Sequence, residues 1–433
     1  MIERRRFLKS LSFLAATMAY AGRNSSASPS EMAAFSRNLQ SATPLAEKYW
    51  RLIKDQFLLP KDYTYFNTGG LGATPYVVVE KVKEFTTRSA TYPSPSHDMQ
   101  EWNRIKAKCA ALFSPNCKKE EIALTGSTTE GINIILNGLG LKRGDEVITS
   151  THEHAALNVP LLNQMQRDGI IIKSFQPDFK NGLNNVNKIE HLISKRTKLI
   201  FLSHITCTTG QLFPVKEIGE LAREKGVLFA LDGAQVVGNM PINVNEYGCD
   251  FYATCGHKWL LGPQRTGILY VREEMIERLR PTTVGGYSDV KHDIVKGILK
   301  FAPGAARYEY ATQNIALYFG LEAALDFLKI IGGQSIWQHN KSLAEKLYSG
   351  LQDIPNVVLL SPEEEKFRTS LITFKLKNID FRKAGSYLTG EKRIRVRVVP
   401  EANVNGIRIS THLYNDESQV EHLLTEVKNL AKM

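Results

Sequence analysis

The stretch VLFALDGAQVVGNMPINVNEYGCDFYATCGHK, from Val227 to Lys258, contains two apolar runs that each end on polar or charged residues. The first run, VLFAL, leads into Asp232, and the second, FYATC, leads through Gly256 and His257 into Lys258. Short runs rich in branched and aromatic residues, bounded by glycine, are typical of strands that are buried on both faces. The stretch therefore predicts two buried strands, each with a polar side chain at its carboxyl end.

Similar β-rich runs continue on both sides of this stretch, from Ile122 to Val271, and amphipathic helical segments separate them. Seven runs fit the description: EIALTG, DEVITS, IIIKSF, KLIFLSHI, VLFALDGAQ, DFYATCGHK and GILYV. Alternating strands and helices predict an α/β fold with a mostly parallel, seven-stranded sheet that is covered on both faces. We expect this large domain, with an N-terminal arm, to span residues 45–310.

A smaller domain is expected over residues 311–433. Long helical segments are followed there by the β-rich runs VVLL, SLITFKL and IRVRVV and by a final helix from about Glu417 to Lys432. Helices beside a short, antiparallel sheet predict a C-terminal α+β domain.

The overall composition is that of a globular protein, with 433 residues, 43% of them hydrophobic, and a formal net charge of +11. Lysines are spread along the chain without dense blocks, which favours a solvated surface over a nucleic-acid groove. The five cysteines form no Cys-x-x-Cys pair and show no zinc-ligand spacing, so neither a disulfide framework nor a metal site is expected.

The N-terminus carries RRRFLK at residues 4–9, ahead of an apolar run over residues 11–21. This pattern predicts a signal peptide over residues 1–21, too short to span a membrane permanently, and it resembles a twin-arginine signal. Residues 22–44, rich in Ser, Ala and Pro, are expected to form a linker. The twin-arginine export machinery would then be a partner, and the mature protein would be periplasmic or otherwise exported.

Ser127, Thr128 and Thr129 stand between the first β-rich run and the helical segment that follows it. Free N–H groups at a helix start, the helix dipole and nearby hydroxyls together suit a phosphate. Serine and threonine also serve there as plain helix caps, and the segment alone leaves both readings open. The loop matches neither GxxxxGK[ST] nor GxGxxG, which disfavours nucleoside triphosphates and dinucleotides.

Asp232 and Lys258 follow neighbouring strands, 26 residues apart. A buried carboxylate needs donors or a cationic partner, and it could also cap a helix. Burial disfavours the charged form of an amine, and a neutral amine is what adds to a carbonyl, although most lysines extend to the surface. A phosphate, a protonated ring nitrogen and an aldehyde are the three groups of pyridoxal phosphate that these side chains could bind, so Lys258 is predicted to hold that cofactor as a Schiff base.

The segments around these residues resemble the class V aminotransferase family, which includes cysteine desulfurases, selenocysteine lyases and isopenicillin N epimerase. The likeness runs from about residue 65 to residue 430. It implies that Lys258 is the Schiff-base lysine, that Asp232 binds the ring nitrogen, and that Gln235 lies near the ring hydroxyl. His257 would bind the phosphate together with the residues 127–129 loop, and His154 would stack on the ring.

Two further roles follow from the same resemblance. RYEYATQN is similar to a segment whose threonine reaches the phosphate of the neighbouring subunit, so Thr312 implies a homodimer with shared active sites. GIRISTHLYNDESQVEHLL is similar to the C-terminal signature in which an arginine grips the substrate carboxylate, and Arg408 takes that position.

Departures from the family pattern bear on the reaction. Cys207 stands where desulfurases carry Asn, and Cys255 where many members carry Ser. Desulfurases also carry a nucleophilic cysteine shortly before the carboxylate arginine, and no cysteine follows Cys255 here. A persulfide-forming desulfurase is therefore disfavoured.

The segments YFNTGGLGATP and CGHKWLLGP are instead similar to the isopenicillin N epimerase branch. We expect an epimerase or aminotransferase that acts at Cα of an amino acid or aminoacyl group through an external aldimine. The alternatives are an exported enzyme that tailors a peptide or siderophore-like precursor, and a lyase that cleaves C–S bonds by β-elimination. Intact Lys258, Asp232 and Arg408 argue against a non-catalytic module, and the missing glycine fingerprint argues against a dehydrogenase.

Overall fold

The computed structural model describes residues 29–40, 47–93 and 98–433. The signal peptide expected over residues 1–21 lies outside the described residues. In chain order, the described helices are α1 (Pro29–Gln40), α2 (Glu47–Lys54), α3 (Tyr76–Thr91), α4 (Met99–Phe113), α5 (Thr128–Gly138), α6 (Ala155–Asp168), α7 (Asn184–Leu192), α8 (Val215–Glu224), α9 (Val244–Tyr247), α10 (Ile315–Ile331), α11 (Gly333–Gln352), α12 (Phe381–Ser386) and α13 (Glu417–Lys432).

The described strands follow the same order. They are β1 (Thr64–Tyr65), β2 (Ile122–Thr125), β3 (Glu146–Ser150), β4 (Ile171–Phe175), β5 (Thr197–Ser203), β6 (Leu228–Asp232), β7 (Phe251–Cys255), β8 (Gly267–Val271), β9 (Asp289–Asp293), β10 (Ile298–Phe301), β11 (Val357–Leu359), β12 (Leu371–Leu376), β13 (Ile394–Arg395), β14 (Arg397–Val399) and β15 (Gly406–Ser410).

A seven-stranded sheet forms the centre of the large domain, in the order β2-β8-β7-β6-β5-β3-β4. Only β8 runs antiparallel to its neighbours in this sheet, and the other pairs between neighbours are parallel. All seven predicted runs form its strands, which confirms the predicted fold class. Ser203 pairs with Asp232, and Asp232 with Ala253, so the carboxyl ends of β5, β6 and β7 meet at one edge of the sheet.

The sheet is covered on both faces, as its strands predict. Alternate residues of β5 enter two separate cores: Leu199 and Phe201 pack with α5 and α6, whereas Ile200 and Leu202 pack with α4, α8 and α10. Because side chains alternate across a strand, a strand buried on both sides reads as a continuous apolar run.

The smaller domain is built on a four-stranded antiparallel sheet in the order β11-β12-β15-β14. Helices α11 and α13 pack against it, and Phe66 from the N-terminal segment enters the same core. The predicted final helix forms as α13. Strand β1 pairs in parallel with β13, so the chain just before residue 66 is joined to this domain.

Helix α10 lies with the large domain, which differs from the boundary expected after residue 310. Its apolar residues belong to the core that also contains α4. The Tyr318 hydroxyl donates to the carbonyl of Thr125 at 3.1 Å, and Glu322 pairs with Arg104 at 2.7 Å. Helical periodicity identifies such an element but does not show which of two cores receives it.

Helix α1 corrects the expectation of a linker over residues 22–44, because residues 29–40 form a packed element. Phe35 and Leu39 are buried, one turn apart on the same face. The ring of Phe35 stacks on Phe327 of α10, with 5.5 Å between centroids. The many small and polar residues of this segment hid the apolar contacts that dock it.

Across the described residues, every helix is too short or too polar to cross a bilayer.

Candidate active site

A cavity opens at the carboxyl ends of β5, β6 and β7, between the two domains. Its lining contains every predicted site residue except Thr312. The lining residues are Gly69, Gly70, Ser127, Thr128, Thr129, His154, Ala156, Ser203, Ile205, Cys207, Asp232, Ala234, Gln235, Cys255, His257, Lys258, Arg397 and Arg408. Thr312 is exposed, in the segment that leads into α10.

The start of α5 forms one end of this cavity. Ser127 is the helix cap, since its hydroxyl accepts from the N–H of Glu130 at 3.1 Å. The hydroxyl of Thr128 is buried without a hydrogen-bond partner, and so is Nδ1 of His257. Buried polar atoms are normally paired, so these two orphans beside a helix N-terminus fit a polar, anionic group.

His154 caps α6, with Nδ1 accepting from the N–H of Ala156 at 3.1 Å. Burial, reinforced by the charge of Lys258, lowers the pKa of His154 to about 4. A neutral imidazole presents a flat, uncharged face to the cavity. Its neighbour His152 points elsewhere, because Nδ1 contacts the Thr208 hydroxyl at 2.8 Å and the ring stays outside the lining.

Asp232 ends β6 and is buried. One carboxylate oxygen accepts from the N–H of Ala234 at 2.8 Å. Burial raises the pKa of Asp232, while the charge of Lys258 and the Ala234 N–H oppose that rise. A carboxyl group in this position is stabilised as an anion by any further cation that enters the cavity, and a protonated ring nitrogen is such a cation.

Gln235 lines the cavity and also joins three parts of the chain. Its amide nitrogen donates to the carbonyl of Gly69 at 2.9 Å, and its amide oxygen accepts from the indole N–H of Trp259 at 2.9 Å. The side chain is therefore fixed by the protein itself, and its role beside the ring hydroxyl stays a prediction.

Lys258 lies three residues beyond the end of β7. Its backbone is held closely, because the N–H of Gly72 donates to the carbonyl of His257 at 2.8 Å. A Cβ atom at position 72 would stand only 2.0 Å from the carbonyl oxygen of Lys258, so this approach requires glycine. Nζ has no hydrogen bond or ion pair to any described residue, which leaves the amine available to a ligand.

Arg408 is the most buried cation of the site, with 1% of the residue exposed. Nη1 donates to the carbonyl of Cys207 at 2.7 Å, and Nε is buried without a partner. Burial, together with the nearby charge of Arg397, lowers the pKa of Arg408 to about 9. No carboxylate in the described part of the chain pairs with it, so an anionic ligand would complete its surroundings.

Arg397 is a lining residue that the sequence did not single out. It pairs with Arg408 across β14 and β15 and donates through Nη1 to the same Cys207 carbonyl, at 3.5 Å. Glu401, four residues later, forms an ion pair with it. The signal in the sequence was the repeated arginine of RIRVRVV, which the resemblance used only to indicate a branch.

Glu153, also overlooked in the sequence, supports the wall of the cavity from behind. Its carboxyl oxygens accept from the hydroxyl of Ser150 at 2.5 Å and from the N–H of Ser203 at 2.8 Å. Burial raises the pKa of Glu153 to about 7. The adjacent motif THEH drew attention to its histidines, whereas the glutamate fixes Ser203.

Cys207 and Cys255 both line the cavity as buried thiols, and burial raises the pKa of each. At neutral pH burial keeps both protonated, which does not favour nucleophilic roles.

These residues fit pyridoxal phosphate on grounds that the structure itself supplies. The unpaired hydroxyl of Thr128 and the unpaired Nδ1 of His257 suit the phosphate end. Asp232 suits a ring nitrogen, and the amine of Lys258 lies in the same cavity.

Known proteins resemble this chain over most of its length. Residues 64–423 match the family model described as aminotransferase class-V. A probable cysteine desulfurase of Methanothermobacter thermautotrophicus is 28% identical over 395 residues, which cover 87% of this chain and 96% of that protein.

Two solved structures are similar over most of their length. The apo cysteine desulfurase of Thermococcus onnurineus is 27% identical with a TM-score of 0.79, over 88% of this chain and 97% of that one. The cystine C–S lyase C-DES, in complex with its product cysteine persulfide, is 28% identical with a TM-score of 0.78, over 85% and 98%. A mutant of C-DES has been solved with glycine covalently linked to its pyridoxal-phosphate cofactor.

Proposed function

Because this chain belongs to the aminotransferase class V family, we propose that it is a lyase that breaks the Cβ–S bond of a cysteine derivative. Membership of the family makes the protein an enzyme, and its cofactor is pyridoxal phosphate. The relatives described above are desulfurases and a C–S lyase, and they support sulfur amino acids as the substrate class. They do not support the isopenicillin N epimerase-like branch that the sequence favoured.

The loop between β14 and β15 carries this proposal. In desulfurases the nucleophilic cysteine is expected shortly before the carboxylate arginine, and residues 400–405 read PEANVN here. A desulfurase needs that thiol to take the sulfur, whereas a β-elimination needs no protein nucleophile. The loop therefore favours a lyase over a desulfurase within this family.

Ser127, Thr128, Thr129 and His257 would hold the phosphate of the cofactor, and Asp232 its ring nitrogen. When bound, pyridoxal phosphate withdraws electrons from Cα of an attached amino acid and so makes the Cα proton acidic. His154 would stack on the ring, and Gln235 would lie near its hydroxyl. These assignments belong to the proposal and rest on the cavity lining and on the unpaired polar atoms within it.

The protein's own groups supply orientation and proton transfer. Arg408 would bind the substrate α-carboxylate as a bidentate pair, which aims Cα at the cofactor. Lys258, freed by the incoming amine, would take the Cα proton as a general base. The buried carboxylate of Asp232 would keep the ring nitrogen protonated.

The overall reaction balances without an external oxidant. The Cα–H bond and the Cβ–S bond break, and the electron pair of the C–S bond leaves with sulfur. The departing sulfur then takes a proton from solvent or from Lys258. A thiol or a persulfide is released, and the remaining three-carbon unit hydrolyses to pyruvate and ammonia.

Incubating the holoenzyme with S-substituted cysteines tests this proposal. We expect equal amounts of pyruvate, ammonia and a thiol or persulfide, measured together in one reaction. Alanine as the carbon product, with sulfur retained on the protein, would identify a desulfurase and reject the lyase.

An epimerase or aminotransferase is the second candidate, because YFNTGGLGATP and CGHKWLLGP are similar to the isopenicillin N epimerase branch. Chiral chromatography of the same reactions separates the two. An inverted amino acid or a keto acid that still carries its sulfur substituent would replace the lyase by this candidate.

We also propose that the protein is exported, on the evidence of residues 1–21 alone. The substrate could then be a peptide or siderophore-like precursor outside the cytoplasm. A reporter fused behind residues 1–30 should be exported, and changing Arg4 and Arg5 to Lys should abolish export. Retention of the first reporter, or export of the second, would reject the twin-arginine route.

A further inference from the structure

Three consecutive backbone carbonyls hold the segment around the lysine of the site, and each accepts a hydrogen bond from a different donor. The His257 carbonyl accepts from the N–H of Gly72 at 2.8 Å, and that of the lysine accepts from the N–H of Leu261 at 3.2 Å. The Trp259 carbonyl accepts from Nε2 of His412 at 3.1 Å. His412 is therefore the one side chain among these three donors.

His412 lies two residues beyond β15, the strand that carries Arg408, and it is fully buried. Its hydrogen bond joins this part of the smaller domain to the residue that follows Lys258. Arg408 would bind the α-carboxylate and Lys258 would take the proton from the adjacent Cα. The relative position of these two side chains therefore decides whether the proton is within reach of the amine.

The imidazole of His412 is neutral, and its single proton is on Nε2. Burial lowers the pKa of His412 to about 3, and a carbonyl oxygen can only accept, so Nε2 must be the donor to Trp259. Nδ1 then carries a lone pair and accepts from Nδ2 of Asn340 at 3.1 Å. The ring is thus held on both sides, and both of its nitrogens are satisfied.

Asn340 extends these contacts back to the wall of the cavity. Its Nδ2 also donates to Oδ1 of Asn239 at 3.1 Å, and Nδ2 of Asn239 donates to the carbonyl of Gln235 at 3.2 Å. Oε1 of Gln235 in turn accepts from the indole N–H of Trp259 at 2.9 Å. Trp259 is therefore held at its carbonyl by His412 and at its indole by Gln235, and every side chain of this closed network is buried.

We propose that His412 is a positioning residue, which fixes Lys258 relative to Arg408 through the carbonyl of Trp259. The inference rests on the roles proposed above for Lys258 and Arg408, and it adds a residue that lies outside the cavity lining. Because Arg408 itself is untouched, loss of this hydrogen bond should slow removal of the Cα proton and leave the binding of an amino acid nearly unchanged.

Two substitutions separate this hydrogen bond from the rest of the histidine. His412→Gln keeps a donor close to the position of Nε2. His412→Asn keeps an amide beside Asn340 but ends short of the Trp259 carbonyl. A role that depends on the bond to Trp259 should therefore survive in His412→Gln and be lost in His412→Asn.

Proton removal is measured with the holoenzyme and alanine in heavy water, by the loss of the Cα–H signal in NMR spectra. The Kd for alanine comes from the change in cofactor absorbance. The exchange rate should fall at least about tenfold in His412→Asn and stay within about threefold of the wild type in His412→Gln, while the Kd changes less than about threefold in both.

Amide hydrogen exchange of the same proteins gives a measure that needs no reaction. In His412→Asn the N–H groups of Leu261 and Gly262, which close the turn around Lys258, should exchange at least about tenfold faster. Strand β5, whose exchange reports opening of the large sheet, is the internal reference. A general loss of stability would speed exchange in β5 and in the turn alike.

His339→Asn is the matched control. Nε2 of His339 contacts the carbonyl of Asn415 at 3.1 Å, so this substitution removes the same kind of hydrogen bond at the same distance, within the smaller domain. It should leave the exchange of the alanine proton and of the amides of residues 261–262 unchanged.

Equal alanine exchange in His412→Asn and the wild type, or an equal loss in His412→Asn and His412→Gln, would overturn the proposal. If His412→Asn does not fold, His412→Gln decides. A fall of about tenfold or more in that variant would overturn the proposal, and near-wild-type rates of both kinds of exchange would support it.

The outcomes also separate this inference from the proposed function, because removal of the Cα proton is common to a lyase, an epimerase and an aminotransferase. The expected effect of His412→Asn without release of pyruvate from any S-substituted cysteine would reject the lyase and keep the positioning role. Release of pyruvate with no effect of His412→Asn would keep the lyase and reject the positioning role.

Discussion

Individual side chains divide into those that the sequence could identify and those that only folding reveals. Asp232 and Lys258 could be predicted because each follows an apolar run, and strand ends meet at one edge of a parallel sheet. Arg397 could not be predicted, because alternation along RIRVRVV places Arg393, Arg395 and Arg397 on one face and does not distinguish among them. The chain changes its pairing from β1 to β15 at Val396, and only Arg397 reaches the cavity.

Lys258→Ala, in enzyme freed of amino acids, should remove the absorbance band of the Schiff base between the protein and the cofactor and lower turnover by at least about 10²–10⁴-fold, because the proposed general base is lost. An absorbance spectrum and a single-turnover assay measure both effects. Lys142→Ala, an exposed lysine outside the cavity, is the control. Unchanged absorbance would show that Lys258 does not hold the cofactor.

Arg408→Lys should raise KM for amino acids by the loss of about 1–3 kcal/mol of binding, since lysine keeps the charge but not the bidentate geometry. The expected change is in KM more than in kcat. Arg382→Lys, an exposed site, should leave KM as it is. If KM stayed constant in Arg408→Lys, the carboxylate site would have to be sought elsewhere.

Glu153 should make stability depend on pH. Its pKa of about 7 lies above the ordinary 4.5, so its stabilising contribution is full below pH 4.5 and is lost as pH rises towards 7. The free energy of unfolding of Glu153→Gln, relative to the wild type, should therefore rise by at most about 3 kcal/mol between pH 4.5 and 8. Denaturant titrations at several pH values measure this difference, and a flat difference would contradict the raised pKa.

Secondary-structure elements were predictable wherever burial was uniform. Six of the seven strands of the large sheet are buried almost throughout because both faces are covered, whereas only Phe175 of the edge strand β4 is buried; α13 shows a clear helical period. Helix α1 was missed because three large apolar residues among twelve, Met32, Phe35 and Leu39, give a weak signal, although all three contact the core. Contacts with packing partners, rather than intrinsic helix propensity, determine whether such short helices form.

Phe35→Ala should detach α1 from α10 and lower the free energy of unfolding by about 2–4 kcal/mol, less than a fully buried phenylalanine would cost. Hydrogen exchange of residues 29–40 and chemical unfolding of the full chain measure the two effects. Arg37→Ala, on the exposed side of the same helix, is the control. Equal exchange in Phe35→Ala and Arg37→Ala would mean that the helix does not depend on this contact.

The whole molecule brings together segments that lie far apart in the chain. Asn67 lies within 3.4 Å of Arg408, and Gly72 contacts the segment that carries Lys258, so the N-terminal arm closes the cavity between the domains. The sequence predicted two domains and a homodimer, and the dimer remains a prediction. Thr312 is exposed and outside the cavity, as a residue that serves a neighbouring subunit would be.

Thr312→Ala should weaken cofactor binding about tenfold to a hundredfold, as the loss of one hydrogen bond to a charged group implies. Sedimentation should show a dimer, and fluorescence titration with pyridoxal phosphate measures the affinity. Thr91→Ala, an exposed threonine of α3, is the control. A monomer with unchanged affinity would remove Thr312 from the site.

The contact between Asn67 and Arg408 joins residues that are 341 positions apart. The cavity therefore has no complete wall until the chain has been synthesised as far as Arg408 and that segment has left the ribosome. Nascent chains shorter than this would remain cofactor-free, and capture of the cofactor would follow the folding of both domains. A translocation route that accepts only folded cargo would fit that order of events, because the enzyme could then be loaded before it leaves the compartment that makes the cofactor.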